Sequence, residues 1–245
     1  MTLRDALAPL AAAGSFADAR TFLWMGERYE NVEVADAARL IYERHYLRGS
    51  PVREAMPPRE RLLAHALHRA LEKARGAPRQ DPDLGWCHMP GARRHAAGEP
   101  GTARVYWHLC REGALPFARA LRKLDLPHHA KIANDPSQFV RADAAVLYAP
   151  RDALDVRALH EAVKPWLRPG TPAFARRIAP GVAVADDPGR GESFGLHRSR
   201  LAAEGLHEAW RAGRDPLDAL EARFRAEGLD APHLAPGRSE IEVTI

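Results

Sequence analysis

Cysteine, lysine and long apolar runs are all scarce in this chain of 245 residues. Two cysteines, Cys87 and Cys110, cannot build a disulfide framework, and they lack the CxxC spacing of a redox or zinc motif. A reducing compartment suits them. No apolar run approaches the ~20 residues that a membrane-crossing helix requires. The opening "MTLRDALAPLAAAG" carries Asp5 within a short apolar stretch and reads as an amphipathic helix, not a signal peptide, so a cytoplasmic location is expected. Charge of one sign is also missing: 36 Lys and Arg against 32 Asp and Glu leave a formal +4, and the basic residues are scattered among acids. That pattern, without an aromatic-basic module, argues against nucleic acid as a partner.

The lysine shortage is the informative one. Only Lys73, Lys123, Lys131 and Lys164 stand among the 36 basic residues. A lysine kept where arginine is the rule suits a role in which the side chain must lose its proton, which a guanidinium cannot do. Lys131 heads the apolar stretch "KIANDPSQFVRADAAVLY".

What the chain does contain is enough hydrophobic sequence, 46%, to bury a core without metal or disulfide support. Residues 1–80 read as a helical N-terminal lobe. "VADAARLIYERHYLRG" places Ala38, Ile41, Tyr42, His45 and Tyr46 on one face, with Gly49 at its end, and "PPRERLLAHALHRALEKARG" runs from prolines to Gly76. Residues 81–103 are rich in turn formers and read as a connecting segment. From 104 to 245 strands and helices mix: "RVYWHLC", "HHAKIAN", "ADAAVLYAP", "GVAVADDP" and "SEIEVTI" as strands, separated by four helical stretches. The expectation is an α+β fold in one compact unit.

Two chemistries are disfavoured by spacing. The glycines of "GVAVADDPGRGESFG", Gly189, Gly191 and Gly195, give GxGxxxG and not the dinucleotide fingerprint, and Ser193 fits a helix cap better. The 12 histidines include His65 and His68 on one helical face and the adjacent His128 and His129, but no zinc spacing accompanies them, so no metal is expected.

"RVYWHL", "KIANDPSQFVRADAAVLY" and "GVAVADDPGRGESFGLHRSRLA", with "LIYERHYLRG" and the Gly85–Trp86 pair, together resemble the HopA1 family over roughly residues 36 to 212. Members of that family include type III effectors and the lyases of class V lanthipeptide biosynthesis, which are similar to phosphothreonine lyases. The resemblance implies a phosphothreonine-lyase-like lobe over 104–245. It also implies β-elimination of phosphate from phosphoserine or phosphothreonine in a precursor peptide, leaving dehydroalanine or dehydrobutyrine. It assigns Lys131 as the base, whose proton affinity burial and nearby arginines would lower. His108 is the implied acid, with His128, His129 and His197 as alternatives. Arg141 and Arg198 are the implied phosphate ligands, Arg200 standing in for Arg198 if the helix begins late. Tyr148 either hydrogen-bonds the phosphate or the lysine, or belongs to the core. The scheme needs no cofactor and no metal. Its implied partners are the phosphorylated peptide and a separate Ser/Thr kinase, with no membrane. The helical lobe and the stretch near Trp86 are the expected leader-binding surface. The other function carried by the resemblance is a non-catalytic effector or peptide-binding protein, since a fold does not fix a function.

Overall fold

Thr2 opens the first helix, α1 (Leu3–Ala13), by accepting a hydrogen bond from the Asp5 amide while the Asp5 carboxylate accepts one from the Thr2 amide. This reciprocal cap satisfies two donors that the helix itself leaves open. The computed structural model describes residues 2–47, 58–76, 85–189, 193–234 and 237–245. After α1 the N-terminal region departs from the all-helical expectation with an antiparallel meander: β1 (Gly14–Asp18), β2 (Thr21–Trp24) and β3 (Glu27–Glu30). The turn between β2 and β3 is Met25 at φ 48° and Gly26 at φ 85°. Two left-handed central residues make the hairpin turn whose twist matches that of its strands. Helix α2 (Val34–Ile41) follows and runs on as a π-helical turn over Tyr42–Tyr46. The expected stop at Gly49 lies outside the described residues. Helix α3 (Pro58–Arg75) then ends at Gly76, φ +73°, as its sequence implied.

The remainder builds one large sheet. Its elements in chain order are β4 (Trp86–Pro90), β5 (Thr102–Trp107), α4 (Ala114–Leu121), β6 (His129–Ala133), β7 (Ala145–Pro150), β8 (Leu154–Asp155), α5 (Arg157–Val163), β9 (Arg176–Ala179), β10 (Val182–Asp186), α6 (Phe194–Ala212), α7 (Pro216–Ala226) and β11 (Val243–Thr244). Six strands pair antiparallel in the order β4-β6-β7-β5-β10-β9, and β11 pairs parallel with β8. Strand β4 falls in the segment read as a connector, and it forms an edge of this sheet. The fold is α+β, as expected.

Period-two alternation gives the sheet two different faces. Cys87, Met89, Val105, Trp107, Ile132, Leu147 and Val184 point one way into a core with Leu71 of α3, Phe117 of α4 and Leu159 of α5. Each large apolar side chain fully buried there contributes roughly 1.5–3 kcal/mol. On the opposite face Tyr106, Val146, Tyr148, Ala183 and Ala185 pack into a second core with α1, α2, the meander and α6. Helix α6 starts where Ser193 accepts the Leu196 amide at 3.2 Å, the cap anticipated from sequence. It approaches α2 closely because residue 195 is glycine: a Cβ there would lie 2.5 Å from Tyr46 and 2.7 Å from Tyr42. The carbonyls of Pro232, Leu234, Ser239 and Ile241 are held by arginines from three places. Arg198 donates to the carbonyls of Pro232 and Leu234 at 2.6 and 2.8 Å, Arg151 to Ser239 at 2.7 Å, and Arg176 to Ile241.

Candidate functional site

On β4 and β6 the second face of the sheet changes character. Where β5, β7 and β10 carry buried Tyr, Val and Ala, the same face of these two strands presents the half-buried Trp86, His88, His129 and Lys131. Lys131 pairs directly with His88 on one side and with Val146 on the other, and His129 pairs with Tyr148. These four polar and aromatic side chains therefore share a surface by register alone.

Trp86 organises one end of it. The Lys131 ammonium nitrogen lies 4.1 Å from the centre of the indole ring, and the Arg141 guanidinium carbon 4.9 Å from it. The strand end bearing Trp86 is fixed by Asn134, whose side-chain amide donates to the Trp86 carbonyl at 2.9 Å and whose backbone amide donates to that of Gly85 at 3.1 Å. The "NDPS" run that follows explains Arg141. Asp135 accepts the Ser137 amide at 2.9 Å and its hydroxyl at 2.8 Å, Pro136 presets the first turn, and the 3-10 segment Pro136–Val140 delivers Arg141 toward the Trp86 ring. Arg141 thus lies ahead of β7, which starts at Ala145 and not at the head of the stretch read as a strand.

Arg141 is buried and fixed. Its Nε and one terminal nitrogen donate to both oxygens of the buried Asp143, at 2.8 and 3.2 Å, and that same terminal nitrogen reaches the Tyr42 hydroxyl at 3.4 Å. Among the described residues its other terminal nitrogen makes a long contact, 3.5 Å, with Gln138. One edge of the guanidinium fork is thus clamped by a carboxylate while the second is weakly engaged, a geometry suited to an anion's oxygens. Burial alone would lower the affinity of Arg141 for its proton, but Asp143 more than reverses this and raises it. Burial opposes the ionised form of Asp143 too, yet Arg141, with a smaller contribution from Lys131, holds its carboxyl below the usual range. Burial pushes the Tyr42 phenol up to about 12, so its hydroxyl stays neutral while it accepts from Arg141.

At the other end of the surface Tyr148 is buried beneath Arg104, whose guanidinium carbon lies 5.2 Å from the ring centre, with His129 6.0 Å away on the neighbouring strand. Arg104 is tied to Asp187 at 2.8 Å. His129 Nε2 and His88 Nδ1 stand 3.0 Å apart. Burial, then His88, Arg94, His128 and Lys131, push His129 down to about 4.

The expected site residues divide accordingly. Lys131 and Arg141 meet at Trp86, and Tyr148 lies on the same face. His108 follows β5 two strands away from β6; its buried ring rests against the backbone of Pro169, Gly170 and Val140, and burial followed by Arg168 lowers its proton affinity. Arg198 is 1% exposed, stacked on Phe194 at 4.9 Å, in contact with His197, and committed to the carbonyls of Pro232 and Leu234; burial lowers it to about 10. Its guanidinium is occupied in holding residues 232–234, a structural task that competes with the phosphate contact expected of it. Arg200 pairs with Glu204 at 3.0 Å on the outer side of α6. Sequence reasoning passed over Asp143, Tyr42, His88 and Arg104. For Arg104 a signal existed: in "RVY" it lies two residues from Tyr106 and so on the same face.

The profile of the HopA1 effector protein family matches residues 78–235. The structure of the effector protein from Pseudomonas syringae pv. tomato strain DC3000 is similar over 85% of this chain and 92% of its own, with a TM-score of 0.54 and 16% sequence identity. That of the effector protein from Pseudomonas syringae pv. syringae strain 61 covers 80% of this chain and 88% of its own, with a TM-score of 0.49 and 15% identity. At such identity the likeness to the first is one of fold. No curated protein matches the sequence.

Proposed function

The chain belongs to the HopA1 effector protein family, and from that premise we propose that it is a metal-independent carbon–oxygen lyase. Its reaction is the β-elimination of phosphate from phosphothreonine or phosphoserine in a precursor peptide phosphorylated by a separate kinase. The observation that carries this reading is the meeting of Lys131 and Arg141 on a single indole ring, 4.1 and 4.9 Å from its centre. In this reading Arg141, held rigid by Asp143, binds phosphate oxygens through its outer edge. Lys131 removes the Cα proton. The electrons form the Cα–Cβ double bond and expel phosphate, whose bridging oxygen takes a proton from a histidine. The chemistry asks for a cation to stabilise charge on the leaving group and for a separate group that cycles its proton, and arginine and lysine are suited to those two tasks in that order.

A second reading keeps the fold without the reaction: an effector-type binding protein. It draws support from Arg198, whose carbonyl contacts compete with the phosphate contact expected of it. Mass spectrometry of a phosphothreonine peptide after incubation separates the two. Elimination removes about 98 Da, hydrolysis about 80 Da, and a binding protein leaves the peptide unchanged. Lys131→Arg is expected to abolish elimination while phosphopeptide binding persists, and Arg141→Ala to weaken binding of the phosphorylated peptide far more than that of its unphosphorylated form. Normal elimination by both variants sinks the assignment.

A further inference from the structure

Among the described residues the histidine pair His88–His129 is a cluster of titratable groups adjoining Lys131. His88 is the direct cross-strand partner of Lys131, and His129 lies two residues before it on the same face. Side chains so related stand about 5–7 Å apart at Cβ. His108, by contrast, follows a strand two places along the sheet, about 10 Å away at ~4.8 Å per strand. The two imidazoles approach at 3.0 Å, so one nitrogen of the pair donates and the other accepts, and a proton can pass between the rings.

We infer that the His88–His129 pair, and not His108, delivers the proton to the departing phosphate oxygen, an inference that rests on the lyase reading. The neutral amine of Lys131 takes the Cα proton and becomes an ammonium. The Cα–H electron pair becomes the second bond between Cα and Cβ, the Cβ–O bond breaks, and its electrons go to the bridging oxygen. That oxygen accepts the imidazolium proton, so hydrogen phosphate leaves and a neutral imidazole remains. When the next phosphopeptide binds, one proton must pass from ammonium to imidazole, restoring base and acid together. Base and acid that are cross-strand neighbours can complete that return locally, and a histidine two strands away cannot.

The surroundings set when the acid is charged. His129 faces His88 from β4, His128 and Lys131 from its own segment, Arg94 from the loop after β4, and Tyr148 from β7, with Arg104 stacked behind. This mostly cationic company, together with burial, keeps the imidazole neutral near pH 7 in the free protein. An arriving phosphate dianion favours the imidazolium, so the substrate itself loads the acid.

The test uses the full chain and a phosphothreonine peptide, comparing His129→Gln, His88→Gln and His108→Asn with the unaltered protein, peptide binding serving as the check of folding. His129→Gln is expected to lose ~100-fold or more in elimination rate while binding persists, and the loss to exceed that of His108→Asn by ~10-fold or more. The fall in kcat at high pH should vanish in His129→Gln. In the unaltered protein, the His129 imidazole followed by NMR should titrate at higher pH once peptide is added. If His129→Gln cannot fold, that titration and the rate of His88→Gln decide. An unmoved titration, or undiminished elimination by the Gln variants beside an active unaltered protein, overturns this inference and leaves the lyase reading standing. An unaltered protein that leaves the phosphopeptide intact removes both.

Discussion

Asp143 is the residue on which the geometry of the cation pair turns. It receives two hydrogen bonds from Arg141 and is itself buried, so the charge of each member is tolerated only because of the other. Asp143→Asn leaves a buried guanidinium with a neutral partner and is expected to cost about 3 kcal/mol of folding stability, measured by urea unfolding at neutral pH. The folded-state affinity of Asp143 for its proton is depressed. The stability this pair contributes is therefore present above the unfolded carboxyl value of about 3.9 and is lost as pH falls through the lower folded one. Phosphopeptide binding should suffer along with stability, because the two short hydrogen bonds to Asp143 are the main hold on the Arg141 fork, with weaker contacts from Tyr42 and Gln138. The scarcity of lysine drew attention to Lys131, and the "NDPS" turn chemistry was visible beside it. Asp143 was not legible, since a carboxylate two residues from an arginine is usually a solvated neighbour, and only the three-dimensional path of the 3-10 segment turns it inward.

Among the elements, the contact between α6 and the π-helical end of α2 is the most constrained. Gly195 has no room for a side chain against Tyr42 and Tyr46, which stack on each other at 5.3 Å. Gly195→Ala is expected to destabilise the protein by about 1–3 kcal/mol in denaturant unfolding, through overpacking. It should also displace Tyr42 from Arg141 and so weaken phosphopeptide binding beyond the stability loss. Helices α4 to α7 and strands β5, β6, β7 and β10 were readable because apolar periodicity and turn residues agreed over each. The meander was not. Its strands have four or five residues, too short for a clear period, and its tight turn uses Met25 where Asn would have signalled a hairpin. Strand β4 escaped notice for a related reason. "WCHMP" alternates half-buried Trp86 and His88 with buried Cys87 and Met89, but it sits amid turn formers and ends in proline.

At the scale of the whole molecule, the buried histidines govern the response to acid. His108, His128, His129, His160 and His233 all have their proton affinity lowered, in each case chiefly by burial. A histidine with a depressed folded value favours the folded state fully above its unfolded value of about 6.5 and loses that contribution as pH falls. Stability is therefore expected to decline steadily as pH falls below about 6.5, the contribution of His129 being lost through about pH 4. Urea midpoints at half-unit pH steps would check this, and a flat profile over that interval would contradict the burial of these rings. His129→Gln should make the decline shallower. The carbonyls of Pro232 and Leu234 have their own consequence. Arg198 is buried and donates to both, so cutting the polypeptide beside them would take two acceptors from a cation that water cannot reach. Through these two oxygens and that of Ser239, the tail of the chain is bolted to α6 and to the end of β7.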